Sequence, residues 1–190
     1  MKTIIAIGGG SFQKQETEHI DRYALSRCQR KVPKVLFLPA ASKDDQGYAK
    51  RFKQYYRALG CEVTALRLFH TKLSKEAVHE LIYQQDMIYL GGGDTIVLME
   101  ALKSWGLDKV LPTLVDTGVV VCGYSAGANV MFSYGYSNIM DQGYALVQGM
   151  GLVLSLIHIF GTIDEDREFI TMQTRCEVNR TNTTDDHLCG

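Results

Sequence analysis

The sequence lacks a large excess of charge of either sign. Its 190 residues include 20 lysines and arginines and 21 aspartates and glutamates, for a formal net charge of −1 at pH 7. A nucleic-acid-binding domain or a polybasic membrane anchor needs a basic excess that is absent here. The longest apolar runs, such as residues 119–122 and the stretch after Gly151, are too short to span a bilayer. We therefore expect neither nucleic acid nor a membrane among the partners.

Cysteine is scarce and shows no paired spacing. The five cysteines form an odd number and include no C-x-x-C pair, which disfavours a disulfide framework and a zinc site. The apolar run at residues 4–7 is too short for the core of a signal peptide, and it ends in glycines. These features predict a cytoplasmic protein, in a reducing compartment, without a metal site.

Apolar segments of strand length alternate with amphipathic segments of helical spacing. Nearly all-apolar strands between helices are typical of a parallel sheet that is covered on both faces. No repeat or linker interrupts the pattern, so we predict one doubly wound, mostly parallel α/β domain over residues 1–190, with helices on both faces. The predicted strands are 3–7, 35–38, 62–66, 87–90 and 119–122, and the predicted helices are 16–30, 46–59, 74–84 and 95–104, with a further helical stretch to 117.

Glycine-rich turns follow the first, fourth and fifth predicted strands, at residues 8–10, 91–93 and 123–127. In doubly wound sheets, ligands bind beyond the carboxyl ends of the strands, where these turns would meet. The turns lack the third glycine of a dinucleotide fingerprint and a Walker lysine, so we expect no nucleotide cofactor. Two interpretations stay open: tight turns that need positive φ, and an oxyanion hole made of backbone amides.

A lone serine, Ser125, stands in the last of these turns within a G-x-S-x-G frame made by Gly123 and Gly127. Such a frame suits a strained strand-to-helix turn that exposes a nucleophilic hydroxyl, because bulky neighbours would collide there. The alternative interpretation is an ordinary serine N-cap after a buried strand. In the catalytic interpretation, the amide of Ala126 and an amide from the 91–93 turn would stabilise the oxyanion.

Two motifs, YLGGGDT at residues 89–95 and GYSAGANVMF at residues 123–132, resemble the peptidase E family of aspartyl dipeptidases and cyanophycinase-like serine peptidases. The IGGGSF turn at 7–12 and the segment YALVQGMGLV at 144–153 fit the same family, so that the likeness covers about residues 2–153. The resemblance implies a class I glutamine-amidotransferase-like fold and hydrolysis of short peptides by a serine nucleophile.

The resemblance also implies roles for individual residues. Ser125 would be the nucleophile, and Gly92 or Gly93 together with Ala126 would donate to the oxyanion. Glutamine hydrolysis is disfavoured, because the amidotransferases use a cysteine at the elbow and Cys122 lies inside the strand instead.

By the same resemblance, the remaining members of the triad would be His158 as base and Asp141, sixteen residues after Ser125, as the orienting acid. The alternative interpretation of His158 is a strand histidine inside the apolar run at 152–160. The family's Cys-Pro-His-Tyr turn is absent, and an alternative alignment sets Thr162 at the place of the histidine. Asp141 could equally be a turn aspartate before a glycine. Two further residues are predicted to contact the substrate: Asp94, and Arg167 through pairing with a carboxylate.

The chain changes character after Val153, where the sequence becomes polar and loses a clear period. The string LSLIHI also equals a translated frame of a widely used sequencing adapter, which leads to the hypothesis that the segment from about residue 154 is truncated or chimeric.

The function predicted from the sequence is that of a cytoplasmic serine exopeptidase or dipeptidase that hydrolyses short peptides, including peptides with an N-terminal aspartate, without metal or cofactor. A homodimer stays open. The alternative is a catalytically impaired α/β module of the same fold that binds a small ligand. An acyl hydrolase of the α/β-hydrolase type is disfavoured, because only 65 residues follow Ser125.

Overall fold

The structure, a computed structural model, describes residues 2–139 and 143–153. Its centre is a five-stranded sheet in the order β1-β5-β4-β2-β3, and every neighbouring pair is parallel. The predicted parallel α/β sheet is therefore confirmed. The strands are β1 (Thr3–Ile7), β2 (Lys34–Leu38), β3 (Glu62–Ala65), β4 (Met87–Leu90) and β5 (Val120–Tyr124).

Helices connect these strands. Two further short 3-10 turns, Phe12–Lys14 and Ala40–Ser42, follow β1 and β2. Among the described residues, none of the helices is long and apolar enough to cross a membrane. The helices are α1 (Glu18–Ser26), α2 (Gln46–Ala58), α3 (Lys75–Tyr83), α4 (Thr95–Trp105), α5 (Leu107–Asp116) and α6 (Ala126–Asn129).

Side chains of β1, β2, β4 and β5 alternate between two buried layers, as the two-residue period of a strand requires. Along β4, Met87 and Tyr89 pack with α1 and α2, whereas Ile88 and Leu90 pack with α3, α4, α5 and α6. All four of these side chains are at most 1% exposed. Because both faces of β1, β2, β4 and β5 are covered, these strands are nearly all apolar, and this is the pattern from which the fold was predicted. The edge strand β3 instead exposes Glu62 and Thr64.

Two predicted elements differ from the structure by more than one residue at an end. The helix predicted over 16–30 is shorter, because after Ser26 the amides of Arg27 and Cys28 bond to carbonyls three residues back and tighten the last turn. The fifth strand, predicted to end at Cys122, continues through Tyr124, because Gly123 and Tyr124 still pair with β1. The second boundary matters for the site, because the strand leads directly into Ser125.

An antiparallel hairpin, β6 (Tyr134–Ile139) and β7 (Gly143–Gln148), was not predicted. In β6, the buried positions carry small or polar residues and the exposed positions carry large aromatic residues. Gly135 and Ser137 are buried, whereas Tyr134 and Tyr136 are 41% and 40% exposed. An apolar-inward pattern could therefore not reveal it.

Candidate active site

The three glycine-rich turns meet at one edge of the sheet, as predicted. β5 lies between β1 and β4, and the last residue of β1, Ile7, pairs with Tyr124. On the other side, Leu90 pairs with Gly123. The chain then turns at Ser125, whose N–H donates to the carbonyl of Ile7 at 2.8 Å. The carboxyl ends of three adjacent strands thus bring three glycine-rich turns to one place.

Ser125 has a backbone conformation that L-residues rarely adopt. Its φ is 53° and its ψ is −112°, and it forms the junction between β5 and the short helix α6. The side chain is exposed and makes no capping hydrogen bond to α6. The hydroxyl therefore does not cap α6, as the alternative interpretation would require. A strained residue of this kind costs about 1–3 kcal/mol and is found disproportionately at functional sites.

The glycines on either side of Ser125 are required by close contacts. A Cβ atom on Gly123 would lie 2.3 Å from the carbonyl oxygen of Gly127. A Cβ atom on Gly127 would lie 2.1 Å from the carbonyl oxygen of Leu90. These distances are shorter than real Cβ contacts allow, so the turn needs glycine at both ends of the G-x-S-x-G frame. The steric reason given for the frame from the sequence is confirmed.

The turn after β4 packs directly against Ser125. A Cβ atom on Gly92 would lie 3.4 Å from the Cβ of Ser125 and 2.8 Å from the ring of Tyr124. The next residue, Gly93, has a φ of 143°, and a Cβ atom there would lie 2.2 Å from the carbonyl oxygen of Ala41. The glycines thus allow the backbone of this turn to fit between the serine and the loop that follows β2.

The backbone amides around the serine differ in their partners. The N–H of Gly92 donates to the phenol oxygen of Tyr48 at 3.3 Å. Within the described part of the chain, the amides of Gly93 and Ala126 have no protein acceptor. Of the two glycines left open by the sequence, Gly93 is thus the one whose amide is unoccupied.

Asp94, predicted to contact the substrate, lies at the start of α4. Its Oδ1 accepts hydrogen bonds from the amides of Ile96 at 2.8 Å and Val97 at 3.1 Å. Its own N–H donates to the carbonyl of Ala41 at 2.8 Å. These bonds make Asp94 the N-cap of α4 and a tie between two loops at the sheet edge.

An open pocket of about 200 Å³ lies beside Ser125. A larger depression of about 370 Å³, between α4, α5 and the hairpin, includes neither Ser125 nor the three glycine-rich turns. We assign the candidate site to the smaller pocket, because only that pocket combines an exposed hydroxyl with unoccupied backbone donors. Its lining includes Ser125, Gly92, Gly93, Phe12, Tyr48 and Tyr124.

The aromatic lining of this pocket was not predicted from the sequence. Phe12 and Tyr124 lie within the quoted motifs, so their presence beside the site could have been inferred from their positions there. Tyr48 lies on α2 in no motif, and only the packing of α2 brings it to the pocket.

Burial keeps the hydroxyl and thiol groups around Ser125 protonated. It raises the pKa of Tyr48 to about 12 and also raises the pKa of Tyr124. It raises the pKa of Cys122 well above its usual range, and this thiol is only 1% exposed. Because a protonated, buried thiol is a poor nucleophile, Cys122 is unsuited to the cysteine chemistry of glutamine hydrolysis.

The described residues do not supply a base to Ser125. His79 contacts the carbonyl of Trp105 at 2.8 Å, His70 lies 3.4 Å from Oδ2 of Asp44, and His19 is exposed on α1. None of these three histidines lines the pocket. The predicted catalytic His158 and Asp141, the alternative Thr162 and the substrate-binding Arg167 lie outside the described residues. Over the described ranges, no group of three or more His, Cys, Asp or Glu side chains could hold a metal ion.

Comparison with solved structures identifies the same fold. A peptidase from an acI-B1 Actinobacterium aligns with a TM-score of 0.58 and 21% identity over 80% of this chain and 65% of its own. A Listeria monocytogenes EGD-e protein assigned to peptidase E aligns with a TM-score of 0.56 and 24% identity, over 70% of this chain and 63% of its own. At these identities the likeness concerns the fold alone.

Sequence comparison extends the likeness to the family. The chain is 40% identical over 139 residues to an uncharacterised peptidase, YgaJ, of Bacillus subtilis (strain 168), and 31% identical over 101 residues to the peptidase E of Nostoc (strain PCC 7120). These alignments cover 73% and 52% of this chain, and the chain spans only 60% and 39% of the two relatives. A family model matches residues 4–183, beyond the likeness over 2–153 noted from the motifs. The chain belongs to peptidase family S51.

Proposed function

We propose that this protein is a serine-type exopeptidase that cleaves short peptides with Ser125 as its nucleophile. One observation carries the proposal: Ser125 is held exposed at positive φ in a pocket that it shares with the glycine turn at Gly92 and Gly93. A strained, exposed serine beside unoccupied amides is what acyl transfer needs, and a serine that only caps a helix needs neither feature. Membership of a peptidase family supports the same function.

The proposed reaction follows the serine-peptidase scheme. The Oγ of Ser125 attacks the carbonyl carbon of the scissile peptide bond while a base takes the hydroxyl proton. The developing oxyanion accepts hydrogen bonds from the amides of Ala126 and Gly93. The protonated base then gives its proton to the leaving amine, and water releases the acyl group from Ser125 by the reverse sequence of steps. His158 is proposed as this base and Asp141 as the acid that orients it.

The size of the pocket supports a small substrate. A pocket of about 200 Å³ is smaller than the range of roughly 300–1,000 Å³ that holds drug-sized ligands, so it suits one or two residues of a peptide. An N-terminal aspartate is the proposed specificity. It is supported by the resemblance to aspartyl dipeptidases, with Arg167 and Asp94 as proposed substrate contacts. We propose the cytoplasm as the place of action.

A second function, binding of a small ligand without catalysis, is favoured by one specific observation. None of the histidines in the described part of the chain lines the pocket, and the Cys-Pro-His-Tyr turn of the family is absent from the sequence. A serine without a base would keep the pocket but lose most of its nucleophilic reactivity.

The first function is tested by dipeptide cleavage together with covalent labelling of Ser125. The purified chain is incubated with an aspartyl dipeptide, with the same dipeptide blocked at its N-terminus, and with a serine-reactive peptidyl phosphonate. We expect cleavage of the free dipeptide only, and one phosphonate adduct on Ser125 in the mass spectrum. The Ser125→Ala variant should show neither. Binding of the dipeptide without cleavage or adduct would support the second function instead, and cleavage by Ser125→Ala would refute the first.

A further inference from the structure

Tyr48 reaches the pocket from α2 and is held there rigidly. Its ring stacks on Phe12, with ring centroids 5.8 Å apart and an interplanar angle of 19°. It also meets Phe37 edge to face, with centroids 4.9 Å apart. A Cβ atom on Gly91 would already lie 3.1 Å from this ring. Contacts on several sides therefore fix the direction in which the phenol oxygen points.

The hydroxyl of Tyr48 has one hydrogen-bonding function that the described residues leave unused. Its oxygen accepts the N–H of Gly92 at 3.3 Å. No acceptor for its own O–H is found among the residues that the structure describes. The second phenol of the pocket differs, because the hydroxyl of Tyr124 donates to the carbonyl of Gly10 at 2.6 Å. Of the two phenols, Tyr48 is thus the one with a proton to offer to a bound molecule.

The position of this unused donor relates it to the nucleophile. Gly92, which Tyr48 contacts, lies so close to Ser125 that an added Cβ would be 3.4 Å from the Cβ of the serine, and all three residues line the same pocket. Because its N–H is directed at Tyr48, Gly92 can act on an oxyanion only through the phenol. A phenol that accepts one hydrogen bond becomes a better donor for the next, since hydrogen bonds in a chain polarise one another.

We propose that Tyr48 is a catalytic residue whose hydroxyl donates a hydrogen bond to the oxygen of the scissile carbonyl, a third donor beside the amides of Gly93 and Ala126. This inference rests on the proposed function, because it needs a carbonyl that Ser125 attacks. The phenol keeps its proton throughout, and only the strength of its hydrogen bond changes as negative charge develops on the carbonyl oxygen. Burial supports the role, since with a pKa of about 12 the phenol is neutral at physiological pH.

The first test compares two phenylalanine variants on the same helix. Tyr48→Phe should lower kcat for the dipeptide about 100-fold with little change in KM, because the lost hydrogen bond is stronger in the transition state. Tyr55→Phe is the matched control, since it removes a hydroxyl two turns along α2 that bonds to Asp21 outside the pocket. We expect Tyr55→Phe to retain the kcat of the unmodified chain. An unchanged kcat in Tyr48→Phe would overturn the inference.

The second test distinguishes donation of a hydrogen bond from Tyr48 to the substrate from a purely structural role, in which Tyr48 only positions Gly92. A ring-fluorinated tyrosine at position 48 keeps the shape and the acceptor oxygen but has a more acidic phenol. If Tyr48 donates, the alkaline fall of kcat should move to lower pH, because the phenolate has no proton to give. Burial raises the pKa of Tyr48 most, the N–H of Gly92 lowers it, and of the titratable and charged neighbours Tyr124 raises it and Arg51 lowers it. If Tyr48 only braces the turn, the pH profile should stay where it is, and the inference would be overturned.

The phosphonate adduct distinguishes failure of this inference from failure of the proposed function. A chain that reacts with phosphonate at Ser125, together with Tyr48→Phe that reacts and cleaves equally fast, refutes the role of Tyr48 alone. A chain that neither reacts nor cleaves refutes the nucleophile, and the role of Tyr48 with it.

Discussion

Ser125 stands in an unfavourable backbone conformation that neighbouring residues enforce. The ladder with β1 continues up to Tyr124, and the amide of Ser125 is itself bonded to Ile7, so the chain must turn sharply at this one residue. Gly127 lies against the carbonyl of Leu90 and leaves no room for a wider turn. The strain is thus a consequence of tight packing between β4, β5 and α6, and it presents the hydroxyl to the pocket.

This strain predicts opposite effects on stability and on reactivity. Ser125→Gly should raise the free energy of unfolding by about 1 kcal/mol, because glycine adopts positive φ without the steric cost, and it should abolish phosphonate labelling. Ser125→Ala is the control, because it also loses the hydroxyl but keeps the strained Cβ. Urea unfolding of the three proteins measures the difference. Equal stability of the glycine and alanine variants would show that Ser125 is not strained.

At the scale of elements, the site depends on how closely α4 and α6 approach the sheet. α6 is seated on β4 through the contact of Gly127 with Leu90, and α4 begins at Asp94. The amide of Asp94 is bonded to Ala41, so the start of α4 is also fastened to the loop after β2. The turn that carries Gly92 and Gly93 is therefore anchored at both ends, by β4 and by the N-terminus of α4.

The approach of α6 predicts a large effect of one added methyl group. Gly127→Ala should lower the free energy of unfolding by roughly 2–3 kcal/mol, because its Cβ would collide with backbone atoms that cannot move aside. Gly9→Ala, in the turn after β1, is the matched control, since a Cβ there would meet no atom within 4 Å. Thermal or urea unfolding compares the two variants. A Gly127→Ala protein as stable as Gly9→Ala would contradict the close approach.

The N-cap of α4 predicts a separation of structural and substrate-binding roles for Asp94. Asp94→Ala should lower the free energy of unfolding by about 1 kcal/mol, because the amides of Ile96 and Val97 lose their acceptor. Asp94→Asn should stay close to the unmodified protein in stability, since an amide oxygen can still accept these bonds.

Dipeptide cleavage by the same two variants tests the substrate contact. If the charge of Asp94 contacts the peptide, KM should rise in Asp94→Asn although stability does not fall. An unchanged KM in Asp94→Asn would leave Asp94 with the capping role alone.

At the scale of the whole molecule, burial is uneven. The four residues of β4 and the first three of β5 are at most 1% exposed and lie between neighbouring strands and helices on both faces. The hairpin of β6 and β7 forms a separate two-stranded sheet, with Tyr134, Tyr136 and Leu146 between 40% and 56% exposed. The candidate site lies at the carboxyl ends of the strands of the buried five-stranded sheet.

This difference predicts the order of amide hydrogen exchange. The amides of β4 and β5 should exchange slowest, through global unfolding, whereas those of β6 and β7 should exchange faster through local opening. Exchange followed by mass spectrometry after proteolysis resolves these segments. Hairpin amides that are protected as strongly as those of β5 would show that the two sheets open together.

The sequence pattern was sufficient for the central sheet because four of its five strands, all but the edge strand β3, are buried on both faces. Apolar runs such as those of β2 and β4 can be recognised without knowledge of the rest of the fold, so the number of strands and their parallel arrangement could be predicted. The hairpin could not be predicted in this way, because glycine and serine occupy its buried positions and tyrosines its exposed ones. The predicted roles of His158, Asp141 and Arg167 stay predictions.

By itself, the sequence determined the parallel α/β sheet, the meeting of three glycine-rich turns at one edge and the elbow at Ser125. These features follow from local rules: the period of apolar residues, the steric freedom of glycine and the shared direction of parallel strands. Only the tertiary structure decided which amides around the serine are unoccupied and which aromatic side chains form the pocket. Tyr48 and Gly92 are 44 residues apart, and their contact depends on how α2 packs against the sheet, which no spacing along the chain encodes.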